Sequence, residues 1–309
     1  MGFNKTVFIP FIILSIHCIS ITNTPLIFSN YPEAIHYPQT IFNHQTTQPT
    51  SRIHFYHINK TSQTLFQHVT IQNNSSSDTT LNIQQKLNKD YDGSKASHKN
   101  AQLFWQSQLN PSFTQITIPA NGHISLDNGS LIFPKKVSHG IINIQNTNQT
   151  PLIISLEYKD KTYKHTPKNP LKPIIFSNNK ISHHTVLPKG PKLIIPIGEK
   201  NTSKIHYNNG NYGQIHEINL NFINPYNYPL KSHIYYNRVS GMARNALLIN
   251  NQLFNANQVL AINSPEKITT LTIPPQSTPH HQIYLFPESG NFYPIEIIVS
   301  SLRSSLNDS

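Results

Sequence analysis

Past its first two dozen residues the chain alternates polar and apolar positions with a period of two. Leu65, Val69 and Ile71 fall on one phase, with Phe66, His68 and Thr70 on the other. Further along, Ile218, Leu220 and Phe222 alternate with Glu217, Asn219 and Asn221. Successive side chains of a β-strand point to opposite faces of the sheet, so each run predicts a strand with one packed face and one wetted face. Asn, Pro, Ser and Gly punctuate runs rich in β-branched and aromatic residues, the composition of short strands joined by turns. No amphipathic helix of any length is expected. The stretch from Lys95 to Gln108 holds at most a turn or two, around Ala96 and Ala101. The chain reads as all-β.

The pattern is stated twice. Ser51-Arg-Ile-His-Phe-Tyr56 has a counterpart in Ser203-Lys-Ile-His-Tyr207, and Thr70-Ile-Gln-Asn73 in Asn221-Phe-Ile-Asn224. A polar turn follows each, then a strand: Leu81 to Leu87, and Leu230 to Tyr236 with Tyr236 in phase with Leu230 and Ile234. Next come Ile116-Thr-Ile-Pro119 and Leu271-Thr-Ile-Pro274, and each half closes on a strand after proline, Pro151 to Tyr158 and Pro294 to Ser300. A repeat this long predicts two similar domains in tandem rather than a solenoid, each an antiparallel β-sandwich of immunoglobulin-like or jelly-roll-like type. Proline cannot donate to a ladder, so each Ile-Pro step is expected to end an edge strand. The expected divisions are a leader (1–24), an extended N-terminal segment (25–50), sandwich one (51–158), a basic Pro/His-rich linker (159–202), sandwich two (203–301) and a disordered tail (302–309). The linker is expected to carry one strand, at Lys192 to Ile197.

Composition narrows the class. With 309 residues, 37% hydrophobic and only 12% charged, long disorder is excluded, because disordered chains pair low hydrophobicity with high charge. One cysteine excludes a disulfide scaffold. A mean hydropathy of -0.39, with no long apolar run after the N-terminus, excludes a bundle of spanning helices. Lys5, the apolar stretch from Val7 to Ile19 and the small residues Cys18 and Ser20 read as an export signal with its cleavage site. Retention as an anchor and lipidation at Cys18 are the alternatives, although His17 is not the small residue a lipobox requires. Cleavage near Ser20 leaves a mature chain without thiol chemistry. Asn59, Asn73, Asn128, Asn148 and Asn201 stand in N-x-S/T sequons. The abundance of Asn, Ile and Lys reads as drift in an AT-rich genome and points to a bacterium.

The net charge of +11 implies attraction to anionic surfaces. Its densest part is Lys159, Lys161, Lys164, Lys168 and Lys172, interleaved with Tyr158 and Tyr163. Basic-aromatic spacing also suits nucleic acid, but an exported protein meets an anionic envelope polymer, a polysaccharide or an acidic envelope protein instead. A solvated linker is the bland alternative. Tyrosines gather at the start of the second half, and Tyr212 and Tyr226 are candidates for stacking on sugars.

Catalytic and metal patterns fare poorly. Asn88-Lys-Asp90-Tyr-Asp92-Gly93 imitates the opening of a calcium loop, but Lys99 occupies the position of the bidentate Glu. It reads as a polar turn. The 17 histidines include His183-His184 and His280-His281, and neighbours on a strand face opposite ways and form no chelate. His54 and His206 are repeat equivalents. His216-Glu217 begins an H-E-x-x-H pattern that Leu220 breaks. No G-x-S-x-G elbow exists, and Asp127 with Glu157, or Glu288 with Glu296, make a carboxylate pair only through folding. No catalytic residue, cofactor or metal ligand is expected.

Several segments also resemble a known family. They are Pro25-Leu-Ile-Phe-Ser-Asn-Tyr-Pro-Glu33, Phe55-Tyr-His-Ile58 with Leu65 to Ile83, Val186-Leu-Pro-Lys-Gly190, Asn209-Gly-Asn-Tyr-Gly213 with the strand to Pro225, Leu271-Thr-Ile-Pro-Pro275, and Pro294 to Val299. Together they are similar to a cyanobacterial-type family of secreted two-domain β-sandwich proteins, known as a domain of unknown function. The resemblance covers nearly the whole mature chain, implies export and the sandwich fold, and brings no catalytic residue. The expectation is an exported, non-catalytic protein that binds or organises cell-envelope components. A carbohydrate-binding module working through its tyrosines and a His-based metal binder are the alternatives.

Overall fold

A computed structural model describes residues 24–304 except 31–32, 92–93, 128, 163–172, 178–179, 188–191, 199–209, 258–262 and 301–302. The first half contains β1 (Leu26–Ser29), β2 (Ala34–Ile35), β3 (Gln39–Thr46), β4 (Thr50–Asn59), β5 (Leu65–Asn73) and β6 (Thr79–Tyr91). Helix α1 (Ser94–Leu109) comes next, followed by β7 (Thr114–Ile118), β8 (His123–Ser125), β9 (Ser130–Ile132), β10 (Val137–Gln145) and β11 (Leu152–Lys159). Then come β12 (Ile174–Phe176), β13 (Lys180–Leu187), β14 (Lys192–Ile197), β15 (Ile215–Phe222), β16 (Leu230–Arg238) and β17 (Asn245–Ile249). The chain ends with β18 (Gln252–Ala256), β19 (Glu266–Ile273), β20 (His280–Leu285), β21 (Ile295–Ser300) and β22 (Arg303–Ser304).

The strands make four sheets. The first has the order β12-β1-β4-β10-β6-β7 with β2 beside β4, and the second β3-β11-β5-β8 with β9 against β5. The third runs β13-β15-β20-β17-β18, and the fourth β14-β21-β16-β19 with β22 on β16. Ile53, Phe55 and Ile142 of the first sheet pack on Val69, Ile71 and Ile154 of the second. Ile218, Leu220 and Leu247 of the third pack on Ile234, Tyr236 and Ile297 of the fourth. The architecture is thus all-β sandwich, as the alternation predicted.

Two expectations are corrected. The helix α1 spans 16 residues where a turn or two was expected. Its buried stripe Ala96, Ser97, Asn100, Ala101, Phe104 and Trp105 has helical spacing, but two of the six are polar and break the apolar signal. Secondly, the connecting segment carries β12, β13 and β14 rather than one strand, and the N-terminal segment carries β1, β2 and β3, which pair inside the first sandwich. Three of the pairings are parallel, β1 with β4, β2 with β4 and β13 with β15. The two halves are also joined by a shared core. Ala101, Phe104 and Trp105 of α1 and Ile141 on the outer face of the first sheet meet Ile215, Leu248 and Tyr284 of the third, with Phe286 just past β20. The Trp105 Nε1–H donates to the Ala246 carbonyl at 3.1 Å, and Gln102 to Asn255 at 2.9 Å.

The repeat has an atomic basis. Asn73, fully buried, donates its amide to the carbonyls of Ser77 (2.7 Å), Ile118 (3.2 Å) and Pro119 (3.0 Å). Asn224 does the same to Tyr228 (2.9 Å), Ile273 (3.2 Å) and Pro274 (2.8 Å). Each asparagine therefore ties the strand before the turn to the proline that ends β7 or β19, and both of these strands lie at sheet edges. Asn59 likewise bonds the Gln63 and Ile132 carbonyls, and its Oδ1 accepts from Thr61 Oγ1 at 2.7 Å. Two of the sequons are therefore buried turn caps rather than compositional drift. Asn73→Ala and Asn224→Ala are each expected to lower stability by about 2 kcal/mol, because several buried carbonyls lose their donor. Urea unfolding midpoints at unchanged slope test this.

Candidate functional site

The second sheet builds a row of half-buried and exposed side chains on its outer face. Phe66 of β5 lies opposite Leu131 of β9 on one side and Lys159 of β11 on the other, so all three share one outer face. Phe133, just past β9, is 47% exposed and Leu131 38%. With Gln63, Thr64, Asp160, Lys161 and Thr162 they line a groove of about 550 Å³. A second hollow adjoins it through Gln63 and Asp160 and adds Lys60 and Tyr37, which is 63% exposed.

The turn after β11 sets the charge at the groove. Asp160 Oδ1 accepts from the Thr162 backbone N–H at 2.8 Å and its hydroxyl at 2.9 Å, which leaves the exposed Lys161 at the tip. Lys159 Nζ rests 2.6 Å from Glu157 Oε2, so its charge is already shared. Of the sequence-predicted site residues, Lys161 lines the groove and Lys159 borders it, while Lys164 and Lys168 lie outside the described residues. The structure does not bring the tyrosines to this place. Tyr212 is half-buried, donates its hydroxyl to the Asn291 carbonyl at 2.7 Å and meets Tyr293 edge-on at 5.5 Å. Burial pushes its pKa up to about 12, as expected of a packing residue. Tyr226 is 51% exposed and stacked on Tyr228 at 5.2 Å in the turn between β15 and β16. Phe66, Leu131, Phe133 and Tyr37 escaped the sequence reading. The available signal was Phe66 itself, an aromatic on the wetted phase of an alternating strand.

Polar groups gather between the first sheet and the helix. His54 Nε2 and His139 Nε2 are 2.8 Å apart, and Asn100 of α1 donates to His139 Nδ1 at 2.7 Å and to its carbonyl at 3.0 Å. Burial drives the pKa of His54 to about 3, assisted by the Arg52 charge, and holds His139 well below the ordinary value. In the second half, His216 lies 3.2 Å from His183 Nε2 and is lowered by burial to about 3. Neutral imidazoles are metal ligands, but among the described residues no group of three His, Cys, Asp or Glu side chains is placed to hold an ion.

The remaining motifs dissolve into structure. Asn88 to Tyr91 belong to β6, while Asp92 and Gly93 lie outside the described residues. Asp127 accepts from Gln67, Val69 and Ser125. Glu288 is buried against His98 of α1 at 3.0 Å, and Glu296 accepts from Asn237. Glu217 receives Lys180 at 2.9 Å and the Tyr284 hydroxyl at 2.9 Å on strand β15.

No family model matches the chain, and no curated protein matches it. Among solved structures it is similar to Lac15 from a marine microbial metagenome, with 13% identity, a TM-score of 0.17, and 85% of this chain and 54% of that one covered. It is also similar to an anti-sigma factor domain-containing protein (11% identity, TM-score 0.21, 82% of each chain) and to the PBSX exported protein XepA (9%, 0.18, 86% of each). The chain thus spans about half the length of Lac15. Likenesses at these TM-scores carry no functional argument.

Proposed function

We propose that this is an exported, non-catalytic protein that binds an anionic polysaccharide of the bacterial envelope in the groove around Phe66, Leu131 and Phe133. The observation that carries the reading is the row Leu131–Phe66–Lys159 on one sheet face, flanked by Phe133 and Lys161. Aromatic and apolar faces accept the C–H faces of sugar rings, and an ammonium beside them meets a uronate carboxylate or a phosphate. The net charge of +11 favours the same partner at long range. Export is supported by Lys5 and the apolar stretch from Val7 to Ile19, and by the resemblance to a secreted family.

The test is co-sedimentation of the purified protein with isolated envelope fractions, and titration with polygalacturonate against neutral dextran, at low and high salt. Phe133→Ala is expected to weaken binding about tenfold at either salt, the size of one lost ring contact. Lys161→Ala is expected to weaken it at low salt only, since screening removes the charge term. Unchanged affinity in Phe133→Ala, or no preference for the acidic polymer, would sink the groove as the site.

A further inference from the structure

Strand β4 is buried on both sides: Ile53 and Phe55 enter the sandwich core, while Arg52 and His54 face the helix side. Arg52 is 4% exposed, its Nε–H donates to Asn143 Oδ1 at 2.8 Å, and its guanidinium carbon sits 4.6 Å over the Phe104 ring. Its Nη1 has no hydrogen-bond partner, and among the described residues no carboxylate lies within ion-pair distance. Elsewhere the chain answers a buried guanidinium with a carboxylate: Arg238 holds Glu266 at 2.6 Å. An unpaired buried charge is costly, and burial pulls the Arg52 pKa down to about 10.

Arg52 forms part of the wall of a pocket of about 200 Å³ on the outer face of the first sheet, beyond the C-terminal turns of α1. The glycan groove lies on the second sheet, the opposite face of the same sandwich. Gln108 and Gln145 supply neutral polar lining, and Pro111 and Phe113 an apolar wall. No other charged residue lines the pocket. The geometry points to a second binding site, in which the Arg52 guanidinium donates through Nη2 to the carboxylate of a small organic acid whose apolar frame rests on Pro111 and Phe113. One positive charge matches a monoanion, whereas a phosphate dianion would leave a net buried negative charge. The volume falls below the roughly 300–1,000 Å³ of drug-sized sites, which sets the ligand as a small molecule. With Nε occupied by Asn143 and Nη1 sealed inside the fold, contact runs through Nη2.

Thermal unfolding and Trp105 fluorescence of the purified protein, titrated with benzoate or acetate at constant ionic strength, test the site. The single tryptophan reports on it because its ring lies 4.9 Å from that of Phe104, which carries Arg52. Benzoate is expected to raise the unfolding midpoint saturably and to change the emission, acetate more weakly, and inorganic phosphate and chloride not at all. Arg52→Met is expected to remain folded, because it deletes an uncompensated charge, and to weaken the benzoate response at least tenfold. Asn143→Asp supplies a fixed counter-ion beside Nε and should weaken it equally, which covers the case of an unfolded Arg52→Met. Absence of a benzoate response in the unaltered protein, an equal response to phosphate, or a full response surviving in either folded variant overturns the proposal.

Discussion

Between pH 7 and pH 5 the fold is expected to lose roughly 4 kcal/mol of stability through the buried His54 and His216, about 2 kcal/mol each, with a further loss in the same direction from His139. His54, His139 and His216 all have pKa values depressed by burial, to about 3 for His54 and His216. In the unfolded chain they titrate near the ordinary value of about 6.5. Below that value the unfolded state takes up protons that the folded state refuses, so stability is fully present above pH 6.5 and drains away as pH falls. The loss continues until His54 and His216 themselves protonate in the fold near pH 3. Glu288 works in the opposite direction: burial raises its carboxyl pKa, so rising pH favours the unfolded state through this group. One raised carboxyl against these imidazoles, and against His44, His183 and His281, whose pKa values burial also lowers, leaves the acid side as the weak one. Urea unfolding at half-unit steps from pH 4 to pH 8 measures the slope, and His216→Leu should make it shallower by the His216 share, about 2 kcal/mol between pH 7 and pH 5. A flat profile between pH 7 and pH 5 would mean that these histidines reach water in the folded state.

The second large effect concerns the helix. Trp105→Ala is expected to cost about 4 kcal/mol, within the range for truncating a fully buried aromatic, and it also leaves the Ala246 carbonyl without its donor. The loss falls on the cluster that joins the sandwiches rather than on either interior. Calorimetry should therefore show the single transition of the parent chain splitting into two, one for each sandwich. A single, barely shifted transition would place the coupling elsewhere, for instance in the contact between His98 and Glu288.

The alternation in β5 and β16 was readable because one face of each packs and the other is wetted. The repeat was readable because Asn73 with Pro119, and Asn224 with Pro274, make the same bonds twice. The helix was not, since Ser97 and Asn100 stand on its buried stripe, and Asn100 is there to satisfy His139. Strand β4 was legible as the opening of the repeat, but not its burial: Arg52, His54 and His57 look like solvent-facing residues and are all buried. Only part of the groove was legible. Lys159 and Lys161 stood out as charge, but the aromatics they accompany come from β5 and from the end of β9, and register rather than sequence proximity brings them together. Tyr212 looked exposed until its hydroxyl found the Asn291 carbonyl.

The placement of β12 and β13 has a mechanical consequence. Phe176 closes a strand of the first sheet and Lys180 opens one of the third, so four peptide links leash these two strand ends within about 14 Å of each other. At that leash length the docking surfaces meet at a millimolar effective concentration, whatever the protein concentration. A variant with a weakened helix interface would thus stay compact and redock rapidly. Cleavage of the leash between residues 176 and 180 would turn the same contact into an ordinary association of two molecules. At micromolar concentration it would then depend on the affinity of the helix surface alone.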